Sequence, residues 1–169
     1  MNVTVRSVGP QVALLEWGRH AYVCAVGRAG IGVKQAEGDG VTPLGAWPVR
    51  RMLYRADRLA APATRLPLSA LAPDDGWCDA PADPAYNTQV KRPHAASHET
   101  LWRDDGLYDL LVVLGFNEDP VVPGKGSAIF LHVARADWGP TEGCIALALD
   151  DLVALVAALK PGDTVTVRS

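Results

Sequence analysis

Two residues near the carboxyl end of the chain have the types and spacing of a nucleophile and its base. The segment FLHVARADWGPTEGC, residues 130–144, carries His132 inside an apolar run and Cys144 directly after a glycine. A thiol with an ordinary pKa of about 8.5 is mostly protonated at neutral pH, and an imidazole within hydrogen-bond reach generates the nucleophilic thiolate. A Cys–His pair of this kind suits acyl transfer.

The glycine before the cysteine adds a second feature. Gly143 permits a backbone conformation that aims consecutive N–H groups at one point, which is what an oxyanion hole requires. The competing interpretation is structural, because cysteine is among the most commonly buried residues and a single histidine on a strand is more often a hydrogen-bonded core residue. On spacing alone, the structural interpretation is favoured.

The apolar pattern around the histidine predicts the element that positions it. The segments LYDLLVVLGF and GSAIFLHV each have strand length and are separated by the turn-forming NEDPVVPGKG, so we expect two central strands. Alternation along the second strand places Phe130 and His132 on the same face. The loop that follows contains Gly139 and Pro140, and it can turn the chain back so that Cys144 lies near the strand end.

The rest of the chain predicts strands, turns and one helix. Alternating segments in the first third, NVTVRSV, QVALLEW and AYVCAV, predict a β-meander. Residues 56–106 are rich in Pro, Asp and Ala and predict long connections, with one helical turn near ASHETLWR. The segment DDLVALVAALKPGD predicts a helix near 150–160 with an Asp150 or Asp151 cap, followed by a last strand. We therefore predict a mainly β fold.

Composition bounds the domain count and excludes several classes of partner. A chain of 169 residues suits one core, so we expect a single domain over residues 1–169. A net charge of −3 offers no basic excess for a phosphate backbone, so no nucleic-acid partner is expected. No segment approaches the roughly 20 apolar residues that span a membrane. No export signal is visible, which predicts a cytoplasmic location, the periplasm or cell envelope being the alternative.

A metal site is the competing chemical hypothesis. His94 and His98 are spaced i, i+4, which on a helix would place both imidazoles on one face, with Glu99 or Asp104 completing a zinc site. The order does not match the HExxH motif, and Pro93 weakens the helix prediction. The three cysteines are widely spaced and suit neither a disulfide framework nor a CxxC metal site. We therefore expect no metal and no cofactor.

Three separated blocks of sequence resemble a known family. KQAEGDGVTPLGAWPV, WCDAPADPAYNTQV and GSAIFLHVARADWGPTEGCIAL, in this order, resemble the YkuD-type L,D-transpeptidase catalytic domain, in the subgroup with a shortened loop between histidine and cysteine. The resemblance runs from about Lys34 to Leu159. It implies a β-sandwich-like fold with short helices, Cys144 as nucleophile, His132 as general base, and oxyanion stabilisation by N–H groups around Gly143 and Cys144.

The same resemblance implies a substrate. Members of this family act on peptidoglycan stem peptides: they attack the bond after the diamino acid at position three and release the terminal D-residue. The resulting acyl-enzyme is resolved by an amine or by water. The implied partner of this chain is therefore a peptidoglycan stem peptide or muropeptide.

The chain departs from the family pattern beside the nucleophile. The usual Ser-His-Gly-Cys tetrad is Thr141-Glu142-Gly143-Cys144 here, and the arginine often found two residues after the cysteine is Ala146. A carboxylate at Glu142 would disfavour a thiolate and favour a neighbouring ammonium group, unless it points to solvent. Thr141 and Glu142 are thus candidates for substrate contacts.

Other side chains near the pair are further candidates. Arg135 and Arg92 are candidates for binding a substrate carboxylate through two parallel hydrogen bonds. Asp137 or a backbone carbonyl would orient His132. Trp138 lines the cleft or caps the core.

These observations predict cysteine-dependent acyl transfer on peptidoglycan peptides. With no visible export signal, a cytosolic enzyme would meet soluble stem peptides and water would be the abundant acceptor. The leading hypothesis is an L,D-carboxypeptidase that removes the terminal D-alanine of a tetrapeptide. The alternative is an envelope L,D-transpeptidase that forms crosslinks or attachments. A non-catalytic protein that binds peptidoglycan peptides ranks below both.

Overall fold

The computed structural model describes residues 1–169 and contains fourteen strands and one helix. In chain order the strands are β1 (Asn2–Ser7), β2 (Val12–Trp17), β3 (His20–Ala25), β4 (Ile31–Gly32), β5 (Thr42–Pro43), β6 (Gly45–Tyr54), β7 (Leu68–Ala70), β8 (Asp75–Cys78), β9 (Gln89–Lys91), β10 (His98–Thr100), β11 (Leu110–Leu114), β12 (Phe130–Val133), β13 (Ile145–Leu147) and β14 (Thr164–Arg168). The helix, α1 (Leu149–Ala158), lies between β13 and β14. The prediction of a mainly β fold with one helix near 150–160 is confirmed.

Nine of the strands form one sheet that closes on itself. Their order is β11-β12-β13-β3-β2-β1-β14-β6-β7, and β6 also pairs with β11. The long strand β6 makes this closure, since its first half pairs with β14 and its second half pairs antiparallel with β11. The predicted strands β11 and β12 are adjacent and antiparallel, so the histidine strand has neighbours on both sides.

One face of this sheet surrounds the larger hydrophobic core. Alternate residues of β1, such as Val3 and Val5, are fully buried in it, as the pattern of period two requires. The helix contributes Leu152, Leu155 and Val156 to the same core. Full burial of each such aliphatic side chain contributes about 1.5–3 kcal/mol to folding.

The start of α1 differs from the prediction. Ala148 occupies the N-cap position and no side chain caps the helix, whereas Asp150 and Asp151 lie in the first turn. The predicted aspartate cap is therefore wrong. Carboxylates in the first turn are still favourable, because they face the positive end of the helix dipole.

The opposite face of β6, β11 and β12 carries a second, smaller hydrophobic cluster. It contains Leu111, Val113 and Phe130, and the edge of the Trp77 ring packs on Phe130. Trp77 belongs to a three-stranded sheet in the order β10-β8-β9, which comes from the segment predicted as long connections. Cys144 is part of this second cluster, so the smaller sheet helps to cover the nucleophile.

The predicted helical turn at ASHETLWR is wrong. His98–Thr100 form β10 instead, paired antiparallel with β8. A short segment cannot repay the cost of starting a helix, whereas an available strand edge satisfies its backbone groups. No helix in the structure has the length and apolar character required to cross a membrane.

Candidate active site

His132 and Cys144 line the same cavity, which has a volume of about 380 Å³. His132 lies on β12 beside Ala146 of β13, and Cys144 is the residue directly before β13. Because β12 and β13 are adjacent parallel strands, the short connection between them returns the chain to the histidine. The structure thus places both residues that the sequence singled out in the wall of one cavity.

A backbone carbonyl orients the histidine. His132 is 5% exposed, and its Nδ1 lies 2.8 Å from the carbonyl oxygen of Val133. A carbonyl only accepts, so Nδ1 carries the proton and Nε2 is left as the acceptor. Asp137, the other candidate, accepts a hydrogen bond from the Gly139 N–H instead. The ring of Tyr108 packs edge-on against the imidazole, with centroids 5.2 Å apart.

The backbone at Gly143 requires glycine. Its φ is +140°, a conformation that L-residues rarely adopt, and a Cβ atom there would lie 2.9 Å from the carbonyl oxygen of Val41. This conformation carries the chain into Cys144, whose thiol donates to the Ala128 carbonyl at 3.1 Å. The Phe130 N–H donates to the same sulfur at 3.4 Å. The thiol is therefore held at the start of β12.

Threonine hydroxyls hold the turn that carries the nucleophile. Thr141 Oγ1 donates to the Cys144 carbonyl at 2.7 Å and accepts from the Gly143 N–H at 3.0 Å. Thr42 Oγ1 donates to the same Cys144 carbonyl at 3.3 Å. The Gly143 N–H is thus already occupied, whereas the Cys144 N–H makes no hydrogen bond. Of the two N–H groups proposed for an oxyanion hole, only that of Cys144 is free in the resting site.

Burial sets the protonation states of the pair. It lowers the pKa of His132 to about 4, and the positive charges of Arg103 and Arg135 act in the same direction. Burial raises the pKa of the Cys144 thiol to about 12, and the Glu99 carboxylate adds to this effect. The resting site at neutral pH therefore contains a neutral thiol and a neutral imidazole. Attack on a carbonyl must be accompanied by transfer of the thiol proton.

The cavity walls carry charges of both signs that the sequence had not assigned to the site. The acidic residues are Glu37, Asp79 and Glu99, in addition to Glu142. The basic residues are Lys34 and Arg103, in addition to the predicted Arg135. These residues come from segments that are far apart in the chain and have no periodic pattern, so no local sequence signal indicates them.

Lys34 and Glu99 are the charged groups that act on the thiol. The Lys34 side chain is 3% exposed, and its Nζ lies 2.6 Å from Asp39 Oδ1 and 3.4 Å from the Val41 carbonyl oxygen. Its charge lowers the pKa of Cys144, opposing the burial. Glu99 accepts a hydrogen bond from the Tyr108 hydroxyl, and desolvation raises the pKa of this carboxyl.

The predicted substrate-contact residues divide into two groups. Arg135, Thr141 and Glu142 line the cavity. The Glu142 side chain is 78% exposed, and its carboxylate lies 2.9 Å from Arg28 Nε, so it points outward. Arg92 lines a different surface depression, together with His94 and His98.

The remaining candidates do not converge with the pair. Trp138 is exposed in a turn and is not part of the cavity wall. His94 and His98 are not on a helix, and their rings are nearly perpendicular with centroids 5.9 Å apart. Glu99 faces the catalytic cavity, while the Asp104 side chain is fully exposed beside Arg58. The zinc site predicted from these four residues is therefore not formed.

A family model agrees with the resemblance seen in the sequence. The family model described as the L,D-transpeptidase catalytic domain, YkuD, matches residues 11–167. Among solved structures, L,D-transpeptidase 1 of Mycobacterium tuberculosis is similar at 13% identity and a TM-score of 0.41, over 98% of this chain and 61% of that one. The chain thus spans about three-fifths of that structure. No curated protein matches it.

The family match covers the whole segment that holds the cavity. It includes both Cys144 and His132 and extends on either side of the region from Lys34 to Leu159 where the resemblance was first seen. The chain therefore belongs to the YkuD family of L,D-transpeptidase catalytic domains.

Proposed function

We propose that this chain catalyses acyl transfer on peptidoglycan stem peptides through a thioester on Cys144. The observation that carries the proposal is the shared cavity, in which the thiol and an imidazole with a free Nε2 face one space. The YkuD family match supports the peptide substrate. A cavity of about 380 Å³ is within the range of small-molecule sites and suits the end of one peptide chain.

In the first step the Cys144 sulfur attacks the carbonyl carbon of the L,D bond. The thiol proton, which is donated to the Ala128 carbonyl in the resting site, turns to His132 Nε2, and Nε2 takes it and then donates it to the nitrogen of the departing D-residue. The C–N bond breaks, and the acyl group stays on sulfur. In the second step an acceptor loses its proton to Nε2 and attacks the thioester, which restores the thiol.

The oxyanion is stabilised by two groups of different kinds. One is the N–H of Cys144, which has no other partner. The other is the Lys34 ammonium, which lies beside the backbone of the nucleophile turn. Its Nζ is 3.6 Å from the position that a Cβ atom on Gly143 would occupy. The Asp39 carboxylate holds this ammonium in place and offsets part of its charge, and a fixed donor of this kind in a desolvated site stabilises developing negative charge more strongly than it would in water.

The charges of the walls suit a peptide that carries both an ammonium and a carboxylate. Asp79 and Glu99 would bind the side-chain ammonium of the diamino residue, and Arg103 and Arg135 the terminal carboxylate of the leaving residue. An ammonium beside Glu99 would also offset the carboxylate that raises the pKa of Cys144. Substrate binding would thereby make the thiol easier to ionise.

We further propose that water is the acceptor, so that the enzyme is an L,D-carboxypeptidase. The cavity at Cys144 has room for one peptide end, and a hydrolase needs no second peptide site. The alternative, an L,D-transpeptidase, requires an acceptor amine that reaches the thioester from outside this cavity. A protein that only binds the peptide is the third option.

A mass-resolved assay with a purified tetrapeptide distinguishes these functions. Loss of one D-alanine without a new amide is the expected result, whereas an added acceptor amine that becomes joined to the peptide would favour the transpeptidase. Cys144→Ala should abolish turnover. The matched control is Cys24→Ala, which removes another buried thiol that lies in the larger core and does not line the cavity. Absence of turnover in the unmodified chain would indicate the binding protein.

A further inference from the structure

Three side chains of types that can ligate metals meet close to the catalytic cavity but outside its lining. Cys78 ends β8, Asp83 lies in the turn that follows, and His94 lies in the loop after β9. One ligand atom from each lies within 4.8 Å of the other two. The sequence had paired His94 with His98, but the fold brings it to a thiol and a carboxylate instead.

One buried polar atom in this cluster lacks a hydrogen-bond partner. His94 Nε2 is shielded from solvent and lies 3.4 Å from Asp83 Oδ2 without making a hydrogen bond. By contrast Asp83 Oδ1 is anchored by the Ala85 N–H at 2.7 Å, which fixes the carboxylate. Unpaired buried polar atoms are unfavourable, and a cation would satisfy them.

We propose that Cys78, Asp83 and His94 form a zinc-binding site. Sulfur, imidazole nitrogen and carboxylate oxygen are all common zinc ligands, and this mixture suits a borderline-soft dication better than Mg²⁺ or Ca²⁺. On binding, the Cys78 thiol releases its proton to solvent, so that one thiolate and one carboxylate balance the charge of the ion. Water would occupy the fourth position. Nitrogen and oxygen ligands of one tetrahedral zinc ion lie about 3.4 Å apart, and His94 Nε2 and Asp83 Oδ2 already have this separation.

The position of the site indicates a structural role. The ion would link the end of β8 to the loops on both sides of β9. This region holds Asp79, which lines the catalytic cavity, and it continues into β10, which carries Glu99. His94 also lines a surface depression, so the ion has a route from solvent. Zinc would therefore hold in place the acidic wall of the cavity.

The test measures metal binding by the full chain, independently of catalysis. The Cys144→Ala background excludes the cavity thiol as a ligand. Zinc is titrated in competition with a chromophoric chelator, and Co²⁺ is used as a spectroscopic probe because thiolate ligation produces a charge-transfer band. We expect about one ion per chain and this band, in a tetrahedral site of the kind that proteins build for zinc.

Ligand variants decide between this site and incidental binding. We expect His94→Gln and Asp83→Asn each to weaken zinc binding at least tenfold, because the loss of a residue that only supports a ligand already has an effect of this size. His94 is partly exposed, so His94→Gln should not affect folding. Cys78→Ser should remove the Co²⁺ charge-transfer band. His98→Gln is the matched control and should leave binding unchanged, because its Nδ1 already faces the Ala96 carbonyl. No bound ion, or binding that His94→Gln and Asp83→Asn leave intact, would overturn the proposal.

Discussion

The neutral state of the catalytic pair predicts an unusual pH dependence for alkylation of Cys144. Burial raises the pKa of this thiol to about 12. At pH 7.5 such a thiol is ionised in about one molecule in 30,000, compared with about one in ten for an ordinary thiol. Alkylation by iodoacetamide should therefore be about 3,000-fold slower than for an exposed cysteine, in proportion to the ionised fraction. The rate should rise about tenfold per pH unit from pH 6 to pH 9.5, because only the thiolate reacts.

Replacement of one carboxylate sharpens this test. Glu99 raises the pKa of Cys144, so Glu99→Gln should lower that pKa and increase the alkylation rate at every pH in the range. Glu142→Gln is the matched control, since this carboxylate is exposed and paired with Arg28, and it should leave the rate unchanged. Peptide mass mapping separates Cys144 from the two other cysteines. A constant rate from pH 5 to pH 8 would indicate a preformed thiolate–imidazolium pair and refute the reasoning.

Three other perturbations have expected outcomes. Gly143→Ala should abolish turnover and lower the free energy of unfolding in urea by about 1–3 kcal/mol, because φ at this position is positive and the new Cβ atom would contact the Val41 carbonyl. A variant as stable as the wild type would contradict this geometry. Thr141→Val should reduce the rate of acylation while preserving the fold seen by circular dichroism, since it removes two hydrogen bonds of the nucleophile turn. For His132 the pKa of about 4 in the folded chain lies below the unfolded value of 6.5. Its contribution to the free energy of unfolding is therefore complete above pH 6.5 and is lost as the pH falls towards 4. Urea unfolding should show that the free energy of unfolding falls by about 3 kcal/mol more for the wild type than for His132→Gln as the pH is lowered from 6.5 to 4. An equal fall for both proteins would contradict the lowered pKa.

The residues on regular elements could be predicted from the sequence. Alternation along β12 placed Phe130 and His132 on one face, and the structure confirms it because Leu131 packs in the opposite core. The helical spacing of Leu152, Leu155 and Val156 was equally informative. In these segments local periodicity and burial agree, so a single sequence contains the needed information.

The walls of the cavity could not be predicted in this way. Glu99 faces the site because β10 pairs with β8, in a stretch of the chain without any periodic pattern. The outward direction of Glu142 depends on Arg28, which lies 114 positions earlier. The position of Glu142 beside Gly143 predicts a carboxylate that acts on the thiol, but Glu99 has that effect in the folded chain. Such relations arise from long-range pairing, which spacing along the chain does not reveal.

Trapping the acyl-enzyme tests the central claim most directly. The chain is mixed with a tetrapeptide, quenched in acid within the first turnover, digested and analysed by mass spectrometry. The account predicts that the peptide containing Cys144 gains the mass of the acyl tripeptide, with D-alanine released, and that Cys144→Ala yields neither product. Release of D-alanine by the Cys144→Ala variant, or turnover with an adduct on a different residue, would contradict the account.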